Sequence, residues 1–249
     1  MTTDFVFLHG GGRGGWCWEP TLEEMVRQGH PNLGKLASLD FPGHGRKKEV
    51  SDKDCTVAGY VESVLRDITE KDLHNIVLVG HSYAGLIIPY VVKRMTERIK
   101  RTVFMACAVP PEGKSLRDLL IMMGKMWPDT RLDPHSPKAR FSGEWDLERT
   151  SRRLGPERAK WLLENLEREF AVPYAVPTFE PVTREGFAGL APISWVVLTR
   201  DRSMPPRWQR AFAHWLDGDR VEIQEVDGQH DAMISKPGAV ATALLRYAD

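Results

Sequence analysis

The segment Asn75–Ile88 reads NIVLVGHSYAGLII, two apolar runs joined by a short turn that contains a serine. The first run, made of Ile, Val and Leu, predicts a fully buried strand, and the apolar residues after Ser82 predict the start of a buried helix. Packing alone gives no reason for a hydroxyl group between two buried elements. The rest of the sequence must therefore explain this serine.

The composition is that of an ordinary globular protein. Of the 249 residues, 42% are hydrophobic and 27% are charged, which suits one large α/β domain or a core domain that carries an insertion. Lysine plus arginine and aspartate plus glutamate number 34 each, so no net positive field would attract a phosphate backbone. We therefore expect no nucleic-acid partner.

The cysteines and the first residues bear on cellular location. Cys17, Cys55 and Cys107 are odd in number and form no CxxC or Cys/His pattern, so we predict neither a disulfide framework nor a zinc site. A reducing cytoplasm fits this best. The opening MTTDFVFLHG carries an acid where a signal peptide needs a basic region, and no run of about 18 apolar residues follows. We expect no export signal and no membrane association.

Strand and helix patterns alternate along most of the chain, which predicts an α/β fold with a mostly parallel sheet and helices on both faces. The predicted strands are 5–8, 35–40, 76–79, 102–106, 193–199 and 221–226. The predicted helices are 21–28, 56–70, 82–100, 207–216 and 237–247.

Between residues 110 and 191 this alternation stops. The segment holds helical stretches separated by Pro- and Gly-rich connections, with no convincing strand. We therefore predict a core made of 1–109 and 192–249, and a helical cap insertion over 110–191.

A strand that turns sharply into a helix at Gly-x-Ser-x-Gly exposes the serine hydroxyl in a strained conformation, and small flanking residues let the backbones pass. Gly80 fills the first small position and Ala84 the second. The amide of Tyr83, just after the turn, is the expected donor to a developing oxyanion. A serine that only caps the helix is the alternative, but the strand before it and the helix after it favour Ser82 as a nucleophile.

A serine nucleophile needs a base, and the base needs an acid that orients it. His230 follows a predicted strand and precedes the last helix, at the sheet edge where sites collect. Asp201 ends the predicted strand in ISWVVLTRD, where a carboxylate can hold the imidazole. His81 adjoins the serine, but we expect its side chain to leave the turn in another direction. Asp40 is expected to brace its own loop.

The loop after the first strand reads HGGGRGGWCW and should supply the second oxyanion donor. Glycine lets a backbone amide approach the substrate closely, and Gly11 is the expected donor. A glycine-rich loop before a helix could instead bind phosphate. The chain lacks both G-x-x-x-x-G-K-[ST] and G-x-G-x-x-G, so that alternative is weak.

As a set, these residues resemble the α/β-hydrolase superfamily, and more narrowly its plant methylesterase and hydroxynitrile lyase group. Four segments are similar to that group's signature segments and stand in the same order: VFLHGGGRGGWCW, VGHSYAG, TRDRSMPPRWQ and DGQHDAM. Ser82, Asp201 and His230 also follow the nucleophile, acid, base order of the superfamily. The resemblance implies an α/β-hydrolase fold with a helical cap inserted before the acid.

Within that group, the lyases carry threonine after the first-loop histidine and lysine after the catalytic histidine, the latter to hold cyanide. Here those positions are Gly10 and Asp231. An acidic neighbour would disfavour an anionic leaving group, so the esterase side is more similar. Two departures, the bacterial-type DFPGHG loop and Ala84 in place of glycine, bear on which ester is cleaved.

The sequence thus predicts a serine carboxylic ester hydrolase that acts on a small methyl or aryl ester through an acyl-enzyme, with no cofactor and no metal. Trp127 and Met126 of the cap are expected to line the substrate pocket. The same residues could instead open a lactone or cleave a carbon-carbon bond or a cyanohydrin. A ligand receptor on a retained hydrolase fold is the alternative from another class, and a homodimer is left open.

Overall fold

One sheet of six strands runs through the residues that the structure, a computed structural model, describes: 2–49, 52–124, 154–169 and 179–249. The strands are β1 Thr3–Leu8, β2 Leu33–Leu39, β3 Ile76–His81, β4 Ile99–Met105, β5 Ile193–Leu198 and β6 Glu222–Val226. Their order is β2-β1-β3-β4-β5-β6, and every neighbouring pair is parallel. The predicted α/β fold with a mostly parallel sheet is confirmed.

Helices cover both faces of this sheet. Every residue of β1, β3 and β5 is buried, and because successive side chains of a strand point to opposite faces, both faces must be covered. The helices are α1 Glu19–Gln28, α2 Val57–Glu70, α3 Ile88–Arg94, α4 Leu116–Met122, α5 Pro156–Glu169, α6 Pro206–Asp217, α7 Ala232–Ser235 and α8 Pro237–Leu245. In the described ranges, no helix is long and apolar enough to span a bilayer.

Helix α2 illustrates how the sequence positions these elements. Its apolar residues recur at helical spacing, and Tyr60, Val64 and Ile68 are fully buried against the core. The Thr56 side chain accepts a hydrogen bond from the Gly59 amide at 2.9 Å, which caps the first turn. Burial of one face and a polar cap therefore fix both where this helix lies and where it begins.

The prediction of one continuous helix over 82–100 is wrong. A short 3-10 turn occupies Ser82–Leu86, α3 spans only Ile88–Arg94, and β4 already begins at Ile99. Pro89 lies in the first turn of α3, where its missing N–H costs no hydrogen bond, so the regular helix begins there. Ser82 thus begins a separate tight turn that precedes the regular helix.

The segment between β4 and β5 corresponds to the predicted cap range. It contains α4, α5 and an isolated antiparallel bridge between Lys114 and Val182. Since β4 and β5 are adjacent and parallel, with Thr102 beside Ile193, this segment is an insertion between two neighbouring strands. Whether it acts as a cap over the site stays a prediction.

Candidate active site

The turn at Ser82 is strained and tightly packed. Ser82 has a φ of 50°, in the left-handed region that residues other than glycine seldom adopt. A Cβ atom at Gly80 would lie 2.4 Å from Cδ1 of Ile88 and 3.0 Å from Cβ of Ala84. The small residues around the serine are therefore required by the crossing of β3 with the helix that follows.

The structure brings the side chains of Ser82, His230 and Asp201 into one hydrogen-bonded chain. His230 Nε2 lies 3.0 Å from Ser82 Oγ, and His230 Nδ1 lies 2.7 Å from Asp201 Oδ2. With Nδ1 donating to the carboxylate, Nε2 is left free to accept the serine proton. This is the geometry that a general base and its orienting acid require.

Asp201 is held from several sides. It is 3% exposed, and its Oδ1 atom accepts hydrogen bonds from the amides of Ser203 at 2.7 Å and Met204 at 2.9 Å. The buried Gln209 of α6 spans the loop, donating to the carbonyl oxygens of Leu198 and Met204. Sequence reasoning missed Gln209, because a glutamine on a helix gives no sign of which loop it will bridge.

The side chain of His81 contacts the loop that carries His230. Its Nε2 atom donates to the His230 carbonyl oxygen at 2.9 Å, and the two ring centroids lie 4.6 Å apart. Burial, followed by the neighbouring His230, lowers the pKa of His81 well below its usual value. His81 is therefore a neutral donor that positions the backbone of His230.

The glycine loop, residues 9–14, packs directly on the Ser82 turn. A Cβ atom at Gly10 would lie 2.8 Å from Nδ1 of His81 and 3.1 Å from Cβ of Ser82, and one at Gly11 would lie 3.6 Å from the Tyr83 ring. Only glycine lets this backbone come so close at position 10. The two predicted oxyanion donors, the amides of Gly11 and Tyr83, thus belong to neighbouring segments of one site.

Two buried histidines stabilise this loop: His9, its first residue, and His44, whose ring packs against that of His9. His9 accepts a hydrogen bond from the Phe41 amide at 3.1 Å through Nε2, and its Nδ1 lies 2.8 Å from the Gly10 carbonyl oxygen. Burial and the adjacent His44 lower the pKa of His9 to about 3, and burial lowers that of His44 to about 4. Both imidazoles are therefore neutral structural groups at neutral pH.

Asp40 braces two loops instead of only its own. Its Oδ1 atom accepts from the Gly15 amide at 2.6 Å, and its Oδ2 atom accepts from Nε of Arg46 at 2.6 Å. Gly15 follows the glycine loop, whereas Arg46 follows the DFPGHG segment. The carboxylate thereby ties the glycine loop to the loop after β2.

Asp231, which follows His230, is not an isolated negative charge. Its Oδ2 atom accepts a hydrogen bond from Nη2 of Arg13 at 3.1 Å. Burial alone would raise the pKa of Asp231, but Arg13, His230 and His81 outweigh it and lower this pKa to about 2. The argument that an acidic neighbour repels an anionic leaving group is therefore weakened, because Arg13 offsets the charge.

A cavity lies beside the candidate site. Met126 and Trp127, the predicted lining residues, lie outside the described residues. The volume of this cavity is about 620 Å³, and its lining includes His230, Asp231, Leu154 and Leu162. Among the residues described, no cluster of His, Cys, Asp and Glu has the arrangement needed to hold a metal ion.

Comparisons with known proteins place this site in a family. A model described as the alpha/beta hydrolase family matches residues 5–243. The carbendazim hydrolyzing esterase of Nocardioides sp. (strain SG-4G) is 26% identical over 97% of this chain and 98% of its own. The rice (Oryza sativa subsp. indica) protein named "Probable esterase PIR7A" is 28% identical over 98% of this chain and 96% of its own.

A solved structure shares the fold. An extracellular alpha/beta-hydrolase from a Paenibacillus species superposes with a TM-score of 0.76, at 23% identity and with 99% of each chain covered. The match of the family model to nearly the whole chain agrees with the parallel sheet and with the serine at its strained turn after β3. The chain therefore belongs to the alpha/beta hydrolase family, among relatives that include plant esterases.

Proposed function

We propose that this protein is a serine hydrolase that cleaves small carboxylic esters through an acyl-enzyme at Ser82. One observation carries the proposal: Ser82 Oγ, the His230 ring and the Asp201 carboxylate form a continuous chain with links of 3.0 and 2.7 Å. A hydroxyl, a base and an orienting acid at these distances are what nucleophilic acyl transfer requires.

In the proposed mechanism, Ser82 Oγ attacks the ester carbonyl carbon while His230 Nε2 takes the serine proton. Asp201 stabilises the resulting imidazolium, and the amides of Gly11 and Tyr83 donate to the oxyanion. The carbon-oxygen bond to the alcohol then breaks, and His230 returns the proton to the departing alkoxide. Water, activated by His230, attacks the acyl-enzyme, which releases the acid and regenerates the serine.

The comparisons support an ester as the substrate class. Two relatives that match almost the entire chain are named esterases, and one name identifies carbendazim as its substrate. An apolar cap would favour small neutral or aryl esters, with Trp127 and Met126 proposed as lining residues. Methyl esters are the next class to test, because the sequence segments resemble those of plant methylesterases.

Cyanohydrin cleavage is the weaker alternative on structural grounds. The lyases place threonine where this chain has Gly10, and a Cβ atom there would lie 2.8 Å from Nδ1 of His81. Such a side chain would force the glycine loop or His81 to move. Lactone opening, carbon-carbon bond hydrolysis and ligand reception would all use the same residues. A panel of substrates distinguishes the reactions from one another, and turnover distinguishes an enzyme from a receptor.

The experiment compares hydrolysis of p-nitrophenyl acetate by the wild type, Ser82→Ala and Ser63→Ala. Ser63 is the control serine because it is buried on α2, where it accepts a hydrogen bond from Lys47. We expect Ser82→Ala to lower kcat/KM by at least about 10³-fold and Ser63→Ala to leave the rate near that of the wild type. A fluorophosphonate probe should add its mass to the wild type and not to Ser82→Ala.

A wild type that hydrolyses aryl and methyl esters no faster than Ser82→Ala would contradict the proposal. Circular dichroism of the variants must first establish that both are folded. In that case a ligand receptor becomes the better description, and binding of the same esters by calorimetry would be measured next.

A further inference from the structure

An ion pair between a buried arginine and a partly exposed aspartate joins the two loops whose relative position the proposed mechanism depends on. Arg13 lies in the glycine loop, and Asp231 lies next to His230 in the histidine loop, residues 227–231. Nη2 of Arg13 lies 3.1 Å from Oδ2 of Asp231, although the residues are 218 positions apart in the chain. Arg13 itself is only 6% exposed.

The same Arg13 guanidinium also hydrogen-bonds to the backbone of the glycine loop. Nη1 of Arg13 donates to the Gly12 carbonyl oxygen at 3.1 Å. Gly12 has a φ of 64°, and three consecutive glycines leave this backbone with few intrinsic restraints. The Arg13 guanidinium thus binds the Gly12 carbonyl oxygen of the glycine loop through Nη1 and Asp231 of the histidine loop through Nη2. Because the guanidinium is planar and rigid, this double contact restricts how the two loops can shift relative to each other.

A shift between these loops would change the distances on which the proposed chemistry depends. The glycine loop carries the proposed oxyanion donor Gly11, while the histidine loop carries the proposed base. The alkoxide charge develops only in the transition state, so a misplaced donor affects turnover more than substrate binding. Displacements near 1 Å lower rates by up to about 100-fold.

The geometry points to Arg13 and Asp231 as a positioning pair that sets the oxyanion donor of the glycine loop against His230. This inference rests on the proposed function, since it assigns a task within that reaction. Arg13 and Asp231 take no direct part in the proposed reaction: they act by positioning the residues that do. The Arg13 side chain is 7% exposed and that of Asp231 is 24% exposed, so water shields this pair less than it would shield a surface ion pair, which would contribute little.

The test measures kcat and KM for p-nitrophenyl acetate in Arg13→Met, Asp231→Asn and the double variant. We expect each single change to lower kcat about 10- to 100-fold while KM changes less than about threefold. Each single variant also removes the opposite charge from the remaining member of this pair and should unfold at a lower temperature. The double variant removes both charges of this pair together, so we expect its Tm to recover while its kcat stays low.

Asp227→Asn is the matched control. Asp227 also lies in the histidine loop, and its Oδ1 atom lies 2.5 Å from Nε of Arg200, the residue before Asp201. This pair is exposed: the side chain of Asp227 is 60% exposed and that of Arg200 is 70% exposed. Breaking this exposed pair should leave both kcat and Tm close to the wild-type values. It therefore separates loss of the pair between Arg13 and Asp231 from loss of any carboxylate in the loop.

The pH dependence of kcat/KM adds a readout that a purely structural role would not move. His230 faces Asp201, His81 and Asp231, with Arg13 behind Asp231. Asp231→Asn leaves a net positive neighbour and should shift the acidic midpoint of the rate profile to lower pH. Arg13→Met should shift it to higher pH, and the double variant should return it toward the wild-type midpoint.

Three outcomes decide the matter. Recovery of both Tm and kcat in the double variant would overturn the inference, because the pair would then only stabilise the fold. Folded single variants with wild-type kcat and unshifted profiles would overturn it as well. A wild type without Ser82-dependent hydrolysis would instead overturn the proposed function, and this inference with it.

Discussion

The amide of Ala108 donates a hydrogen bond to the carbonyl oxygen of Ser82 at 2.7 Å. The loop after β4 therefore supports the strained serine turn from the side opposite the glycine loop. Cys107 reinforces this contact, because its thiol donates to the Gly80 carbonyl oxygen at 3.1 Å. A residue held at a φ of 50° persists only where its surroundings determine it in this way.

Gly85→Ala should disrupt this support. A Cβ atom at Gly85 would lie 2.3 Å from the carbonyl oxygen of Ala108, a backbone atom that cannot rotate aside. We expect the free energy of unfolding to fall by about 3 kcal/mol, together with a loss of ester hydrolysis. Urea denaturation followed by fluorescence measures the first quantity.

Gly238→Ala is the control for that substitution. Gly238 lies in α8, and its added Cβ would come nearest to the flexible side-chain ends of Glu24, at 3.3 Å, and Gln28, at 3.8 Å. Alanine in a helix should raise the free energy of unfolding by about 0.5 to 1 kcal/mol. Equal effects at the two positions would contradict the packing argument.

Asp201→Asn should retain the fold but impair turnover. The amide can still accept from Ser203 and Met204, whose N–H groups contact Oδ1. It cannot stabilise a protonated His230, and it favours the wrong tautomer of the ring, so we expect kcat to fall about 10³- to 10⁴-fold. Rates and melting temperatures are compared with those of Asp217→Asn, a carboxylate at the end of α6. A folded variant with near wild-type kcat would remove Asp201 from the mechanism.

Glu169 should make stability depend on pH. This carboxylate at the end of α5 is 6% exposed and accepts hydrogen bonds from Trp16 Nε1 at 2.9 Å and the Gly45 amide at 3.1 Å. Burial raises the pKa of Glu169 above its usual 4.5 despite these donors. A raised pKa in the folded state gives stability that is complete below the unfolded value and is lost as the pH rises through the folded value.

Glu169→Gln removes that titration while keeping an acceptor for the Trp16 N–H. The stability of the wild type relative to Glu169→Gln should therefore decline as the pH rises above about 4.5. Glu164→Gln is the control, because Glu164 lies on the same helix with its side chain 51% exposed. Melting temperatures between pH 4 and 8 provide the comparison. Parallel curves for the wild type and Glu169→Gln would show that the carboxyl group has no raised pKa.

Local sequence rules were sufficient for the main elements of this protein. Strand periodicity and the run before Ser82 predicted a buried parallel sheet and a sharp turn, because both depend on residues close together in the chain. The candidate residues Asp201 and His230 could also be predicted from the sequence. Each lies within a few residues after a predicted strand, and parallel strands that point the same way end at the same edge of a sheet. The predicted helix over 82–100 is wrong because Pro89 lies in the first turn of α3, so the chain before it forms a separate 3-10 turn.

Tertiary structure alone decided the contacts that hold these residues in place. Arg13 meets Asp231 across 218 residues, and His81 donates to the carbonyl oxygen of His230 across 149. No local pattern encodes such pairs, since each side chain alone looks like an ordinary charged or polar residue. The order of the strands in the sheet decides these partners, because it brings distant loops together. Charges and hydrogen-bond donors that become buried there must be paired, and they pair across the two loops.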